Sequence, residues 1–320
     1  MRVLVSAPYP VAETQELLEA TGAVVEAGTR PWSGDDVVGL LTWETVDAAD
    51  IARLSGLRVI VTGSVGYDHI DVAAAQRRGI WVCNVPDYCV DEMADSTIAL
   101  ALALVRGVVA LDRTVRDGAW DDHAAGPLER VADTRLGVVG FGRIGRSVAA
   151  RARALGMEVW AHDPLVAAID VADAGARSVT LDQLLEGSNV VTLHLPLTAT
   201  TANLIGEREL ALMPRGAFLI NTARAALVDE SALLAALESG ALSGAAIDVL
   251  PEEPPTTARP APQHPRLIVT PHSAWYSPRS EREVYRRAAL AVRAVLEGAV
   301  PEGAVVRPPG LSSSSDRAED

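Results

Sequence analysis

Short apolar runs recur along the chain, separated by polar-faced segments of helical length. RVLVSA (2–7), AVVEA, DVVGLLTW, LRVIVTG and IWVCNVP read as strands. ETQELLEATG (13–22), AADIARLSG and VAAAQRRG, each closed by glycine, read as the helical pieces between them. Strands alternating with helices predict a parallel sheet with right-handed crossovers, so residues 1–86 form one doubly wound unit. Residues 91–117 form a long helical stretch without proline, interrupted only by Gly107. Its first half is apolar nearly all round, which predicts burial, at a domain or subunit boundary. TRLGVVGFGRIG then opens a second strand–helix series, with MEVWAHD, NVVTLHLP, GAFLINTAR, GAAIDVL and RLIVTP as its later strands. The segment 251–265 carries six prolines and is a loop. Residues 279–297 make an amphipathic closing helix, and the low-complexity tail that follows reads as disordered over 308–320.

Composition narrows the class. A chain of 320 residues has ample core for two domains or one large α/β domain, and 49% hydrophobic with 22% charged residues is an ordinary globular balance. No apolar run is long enough to cross a bilayer, and MRVLVSAPYP is too short in its apolar part for a signal peptide. Cys83 and Cys89 provide neither a disulfide framework nor a metal-ligand set, so buried thiols in a reducing cytoplasm are expected. A net charge of −14 disfavours nucleic acid and anionic membrane as partners. All 28 basic residues are arginine, which excludes Schiff-base chemistry and a P-loop lysine.

The sharpest motif is LGVVGFGRIGRSVAARARALGMEVWAHD (136–163). Gly140, Gly142 and Gly145 match G-x-G-x-x-G after an apolar strand and before a helix, with Asp163 about 20 residues on. Gly140 permits the tight turn, Gly142 lets backbone approach a pyrophosphate, and Gly145 lets helix and strand pack closely. The helix N-terminus offers free N–H groups around Arg143 and Ile144 to phosphates. A carboxylate at 163 accepts from ribose hydroxyls and repels a 2′-phosphate, so NAD is expected rather than NADP. The bland alternative is a glycine-rich turn that binds nothing.

Three later strand ends carry polar groups: Arg224; Asp248 with Glu252 and Glu253; and His272. Carboxyl ends of parallel strands are where such folds place their sites. Hydride transfer to a carbonyl acid needs a cation for the carboxylate, an acid–base group near neutrality and often a carboxylate to orient it. Arginine, histidine and glutamate suit those tasks. Each also has a structural reading, as surface cation, turn cap or solvated loop acid, and His194 in VVTLHLP is the stronger case for a structural histidine. No histidine pair has metal-ligand spacing, so no metal is expected, and a hydrolase G-x-S-x-G is absent.

With these pieces in order, the chain resembles the D-isomer-specific 2-hydroxyacid dehydrogenase family over nearly its whole length. GSVGYDHID (63–71), NVP (84–86), LGVVGFGRIG, LHLPLTATT (193–201), GAFLINTARAALVDE (216–230), GAAIDVLPEEP (244–254) and VTPH (269–272) carry the resemblance. It implies two doubly wound parallel-sheet domains. A Rossmann cofactor domain, 103–279, is inserted into a discontinuous flavodoxin-like substrate domain, 1–102 with 280–310. It also implies that Arg224 holds the substrate carboxylate, Glu253 pairs with His272 and His272 is the acid–base group. The loop Ser64, Val65 and Gly66 binds the carboxylate through backbone N–H groups. The resemblance further implies that Asp248 contacts the nicotinamide carboxamide, that Pro196 and Thr222 line the cofactor, and that the protein is a homodimer through the region of the long helix.

Within the family, CNVPDYCVDEMADST and TPHSAWYS resemble the C-terminal-binding-protein branch, in which the residue matching Trp275 lies over the bound 2-oxo acid. Two positions depart. Ala225 stands where the family has glycine, which a negative φ would allow. Thr62 stands where that branch has arginine, which removes a cation from the substrate mouth. The expected activity is NAD-dependent interconversion of a 2-oxo acid and a D-2-hydroxy acid. The alternatives are an NAD(H)-responsive corepressor-like binding protein with vestigial activity, or a dehydrogenase of a specialised acid such as a phosphonate.

Overall fold

The computed structural model describes residues 1–308; the expected disordered tail lies, from 309 onward, outside the described residues. Its strands in chain order are β1 (Arg2–Val5), β2 (Val24–Ala27), β3 (Val37–Leu41), β4 (Val59–Val61) and β5 (Trp81–Cys83). Then come β6 (Arg135–Val139), β7 (Glu158–His162), β8 (Arg177–Ser178), β9 (Val190–Leu193), β10 (Ala217–Asn221), β11 (Leu242–Ile247), β12 (Leu267–Val269) and β13 (Ala304–Val306). They form two sheets, and the chain divides into two compact units.

The first unit, Met1–Tyr88 with the chain from Ser277 onward, holds the sheet β13-β5-β4-β3-β1-β2. Its strands β1 to β5 are parallel in the flavodoxin-like order 2-1-3-4-5, and β13 adds antiparallel to β5. Every residue of β3 and β4 is buried, which is why these strands are unbroken apolar runs and not alternating ones. The closing helix Pro278–Leu296 starts where Ser277 Oγ accepts from the N–H groups of Arg279 and Ser280, with proline at the first helical position. It buries Val284, Ala288, Val292 and Val295 in the core of this unit.

The second unit, Cys89–Tyr276, holds the sheet β12-β11-β10-β9-β6-β7-β8, all parallel, in the Rossmann order extended by one strand. The chain reverses direction across the sheet between β6 and β9, where such folds bind their ligand.

The division differs from the expected one at residues 103 and 280. The helix Val90–Val105 packs on the helix Arg143–Ala154 and on β10 and β11 of the second sheet. Ala94, Ile98, Ala101, Leu104 and Val105 share its core with Leu136, Val148 and Ile220. Arg151 adds bonds to Asp95 at 2.6 Å and Asp91 at 2.9 Å. The helix therefore belongs to the second unit from its first turn. The predicted stretch 91–117 is broken at Gly107, whose φ of +61° starts a second helix, Val108–Arg116, bent by 60° from the first. No single helix among the described residues is long and apolar enough to cross a membrane.

Candidate active site

The glycine-rich turn joins β6 to the helix Arg143–Ala154 and is built as its spacing predicts. Gly140 has φ +90°, and a Cβ there would stand 2.4 Å from the His194 carbonyl oxygen. A Cβ on Gly145 would meet the Gly140 carbonyl at 2.2 Å. Gly142 differs: it has φ −75°, and a Cβ on it would touch nothing within 4 Å. Packing does not demand glycine at 142, whereas open space over a helix N-terminus suits a phosphate. Arg143 and Ile144 begin that helix. Asp163 ends the next strand. Its Oδ2 accepts from the Phe141 N–H at 2.8 Å and its Oδ1 from the Leu165 N–H at 2.9 Å, so the acid also braces the turn.

Three neighbouring strands then deliver the polar groups. β10, β11 and β12 lie side by side in register, Asn221 beside Ile247 and Ile247 beside Val269. Arg224 follows β10 in extended conformation and caps a short turn, Ala225–Leu227. Ala225 does not have positive φ, which accommodates the methyl group that replaces glycine. Glu253 follows β11 and His272 follows β12. His272 Nδ1 lies 2.6 Å from Glu253 Oε2, and Glu253 Oε1 accepts from the Leu250 N–H at 2.7 Å. Burial pushes the Glu253 pKa up. The His272 hydrogen bond, the Leu250 N–H and the Arg224 charge outweigh it and hold the group below its ordinary value. The carboxylate form can only accept, so Nδ1 carries the proton and the other ring nitrogen is left for a reactant. Glu252, the other candidate acid, is exposed in the proline-rich loop.

The remaining predicted residues fall as follows. Trp275 is half-buried three residues beyond His272, its ring edge-on to Tyr276 at 5.6 Å. Pro196 is exposed after β9. Thr222 is buried, with its hydroxyl 3.3 Å from that of Thr97. Asp248 is 1% exposed and bonds to the loop 270–274. His194 is desolvated, which pushes its pKa down to about 3, and its Nε2 is 3.0 Å from the Thr192 hydroxyl. It is a neutral structural residue, as the sequence predicts.

The loop Ser64, Val65 and Gly66 belongs to the first unit and follows β4. Ser64 Oγ donates to the Gly66 carbonyl at 2.5 Å, Asn84 Nδ2 to the Val65 carbonyl at 2.6 Å, and the Val85 N–H to the Ser64 carbonyl at 3.0 Å. Its carbonyls are thus taken up by the protein. Thr62 is fully buried beneath, 2.8 Å from Ser64 Oγ and 3.0 Å from His69 Nε2, so the position that lacks arginine braces the loop.

Residues 98–274 match the family described as D-isomer specific 2-hydroxyacid dehydrogenase, NAD binding domain. The chain belongs to this family. Over 287 residues it is 38% identical to a glyoxylate reductase of Korarchaeum cryptofilum, covering 87% of this chain and 86% of that one. It is 40% identical over 239 residues to a glycerate dehydrogenase of Methylorubrum extorquens, covering 72% and 73%. Among solved structures it superposes on D-lactate dehydrogenase from Aquifex aeolicus, complexed with NAD and lactic acid. That comparison has a TM-score of 0.84 and 29% identity, over 93% of this chain and 96% of that one.

As a D-isomer-specific 2-hydroxyacid dehydrogenase, the protein is an NAD-dependent oxidoreductase, and its second unit is the NAD-binding domain. The open space at Gly142 and the acid at Asp163 fit that cofactor. Motif reasoning passed over two side chains at these strand ends. Asn221, 1% exposed, donates from Nδ2 to the Arg224 carbonyl at 2.8 Å and accepts at Oδ1 from the Ala223 N–H at 3.0 Å. Thr270 donates to Asp248 at 2.5 Å. Both stand inside quoted motifs, INTAR and VTPH, but a pattern read for charge and acid–base groups gives a neutral Asn or Thr no weight.

Proposed function

We propose that the protein interconverts a small 2-oxo acid and its D-2-hydroxy acid, with Arg224, Glu253 and His272 as its working residues. The observation that carries the reading is the short Glu253–His272 contact beside the Arg224 charge. Bound NAD supplies the hydride acceptor, or as NADH the donor, held by Gly140, Gly142, Arg143, Ile144, Gly145 and Asp163. Arg224 pairs with the substrate carboxylate, a task suited to a guanidinium fork. In the first unit, the proposal assigns carboxylate binding to the backbone N–H groups of Ser64, Val65 and Gly66. His272, its Nδ1 proton committed to Glu253, gives a proton from Nε2 to the substrate oxygen in reduction and removes it in oxidation. Trp275 walls the substrate side chain, in keeping with the C-terminal-binding-protein-like stretch TPHSAWYS. Similarity to a glyoxylate reductase and a glycerate dehydrogenase favours a short side chain, on the scale of glyoxylate or glycerate.

The test is NADH oxidation with a panel of 2-oxo acids, each run beside His272→Ala. Turnover that depends on His272 supports the enzyme. No turnover above that variant with any acid, alongside intact NADH binding, favours the corepressor-like reading instead.

The protein acts as a homodimer in this proposal. The helix Val108–Arg116 buries no residue, and Val108, Val115 and Trp120 are 57%, 50% and 93% exposed, so a second copy would cover an apolar face. The two buried cysteines, Cys83 and Cys89, form no disulfide, which accords with a cytoplasmic setting.

A further inference from the structure

We infer that Asp248 is the positioning residue of His272, acting together with Thr270. The inference rests on His272 being the acid–base group. Among the described residues only Asn203 and His272 adopt positive φ without being glycine, His272 at +51°. Side chains take that conformation when their surroundings impose it.

Asp248 supplies most of the hydrogen bonds at this turn, beside the Thr270 carbonyl, which shares the His272 N–H at 3.1 Å. Its carbonyl accepts from the His272 N–H at 2.9 Å. Its Oδ1 accepts from Thr270 Oγ1 at 2.5 Å and the Ser273 N–H at 2.9 Å, and its Oδ2 from the Ala274 N–H at 2.9 Å. One residue thus grips positions 270, 272, 273 and 274 and bends the chain around the histidine. It is itself fixed, since its N–H donates to the Asn221 carbonyl at 3.0 Å. The far end of the turn is tied as well, the Ala274 carbonyl accepting from Ser96 Oγ at 3.1 Å.

The chemistry requires a carboxylate. Three donors converge on two oxygens, and both oxygens must accept. An amide would turn its NH2 toward a donor, and at least one buried donor would lose its partner. Both carboxylate oxygens accept from this turn, which gives Asp248 a task within the protein.

Thr270→Val and Thr270→Ser isolate the geometry, because both leave Asp248 itself in place. Thr270→Val should lower kcat by roughly 10- to 100-fold, as misplacement of a reacting group does. The NADH dissociation constant, read by fluorescence titration, should stay at the wild-type value. Thr270→Ser, which keeps the hydroxyl, should restore kcat. Asp248→Asn should lower kcat further; should it fail to fold, the Thr270 pair still decides. An unchanged kcat in Thr270→Val overturns the proposal, as does a kcat loss matched by an equal loss of NADH affinity, which would make the pair a cofactor contact. His272→Ala separates the two levels. Wild-type turnover there removes the functional reading itself, whereas an inactive His272→Ala beside a fully active Thr270→Val removes only the positioning role.

Discussion

A neutral imidazole has one N–H to give, and Glu253 receives it as a carboxylate. The lowered Glu253 pKa fixes the sign of the acid response. A carboxyl group whose pKa is depressed in the folded state contributes above its unfolded value, and the contribution is lost as pH falls through the folded value. In the reducing direction, where His272 acts as the acid, the kcat/KM profile should therefore hold through the ordinary glutamate range, near 4.5, and fall only at more acid pH. Glu253→Gln should abolish that acid limb and lower kcat by about 10²-fold, the lower end of what general acid–base groups contribute. A profile with the same acid limb in the variant would show that another group sets it. Arg224→Lys should raise KM for the oxo acid by about tenfold or more, some 1.4 kcal/mol, because an ammonium cannot reproduce the guanidinium fork. Steady-state kinetics at fixed NADH checks this. At this scale the proposed working residues stand in recognisable runs after strands, although the choice of Glu253 over Glu252 came only with the family resemblance. The positive φ of His272 and the bonds of Asp248 are not, because they arise between residues 22 to 26 apart that meet only when β11 and β12 pair.

Among the elements, the glycine turn separates two functions of one residue type. Gly140 and Gly145 are required by backbone approach, while Gly142 faces open space. Gly142→Ala should keep the melting temperature and weaken NADH binding by about tenfold or more. Gly145→Ala should lower stability itself, since its methyl meets a carbonyl at 2.2 Å. Thermal melts and NADH titrations of the two variants distinguish these outcomes. The strand–helix alternation was readable wherever strands were buried on both faces. β8, a polar Arg-Ser pair, and β13, three half-buried residues, were not, because short edge strands carry little apolar signal. The helix beginning at Val90 was recognised as buried, but its partner was not. Apolarity reports burial without saying which sheet covers it.

For the whole molecule, the exposed apolar residues Val108, Val115 and Trp120 are the proposed dimer contact. Val115→Asp combined with Trp120→Ser should convert a dimer to monomers in light scattering and leave the melting curve of the isolated protomer unchanged. A dimer that persists would place the interface elsewhere. The order of strands was foreseen through family resemblance. Periodicity alone gives alternation and parallel pairing, and many strand orders satisfy both. What the sequence by itself determined is local: buried strand runs, a glycine turn with its acid at Asp163, and an Arg–Glu–His set at strand ends. Only the tertiary structure decided that the helix Val90–Val105 joins the second unit, that Thr62 braces a loop, and that Asp248 bends the chain at His272. Those outcomes depend on side chains far apart in sequence competing for the same few buried hydrogen-bonding groups. Only the paired strands reveal which of them prevails.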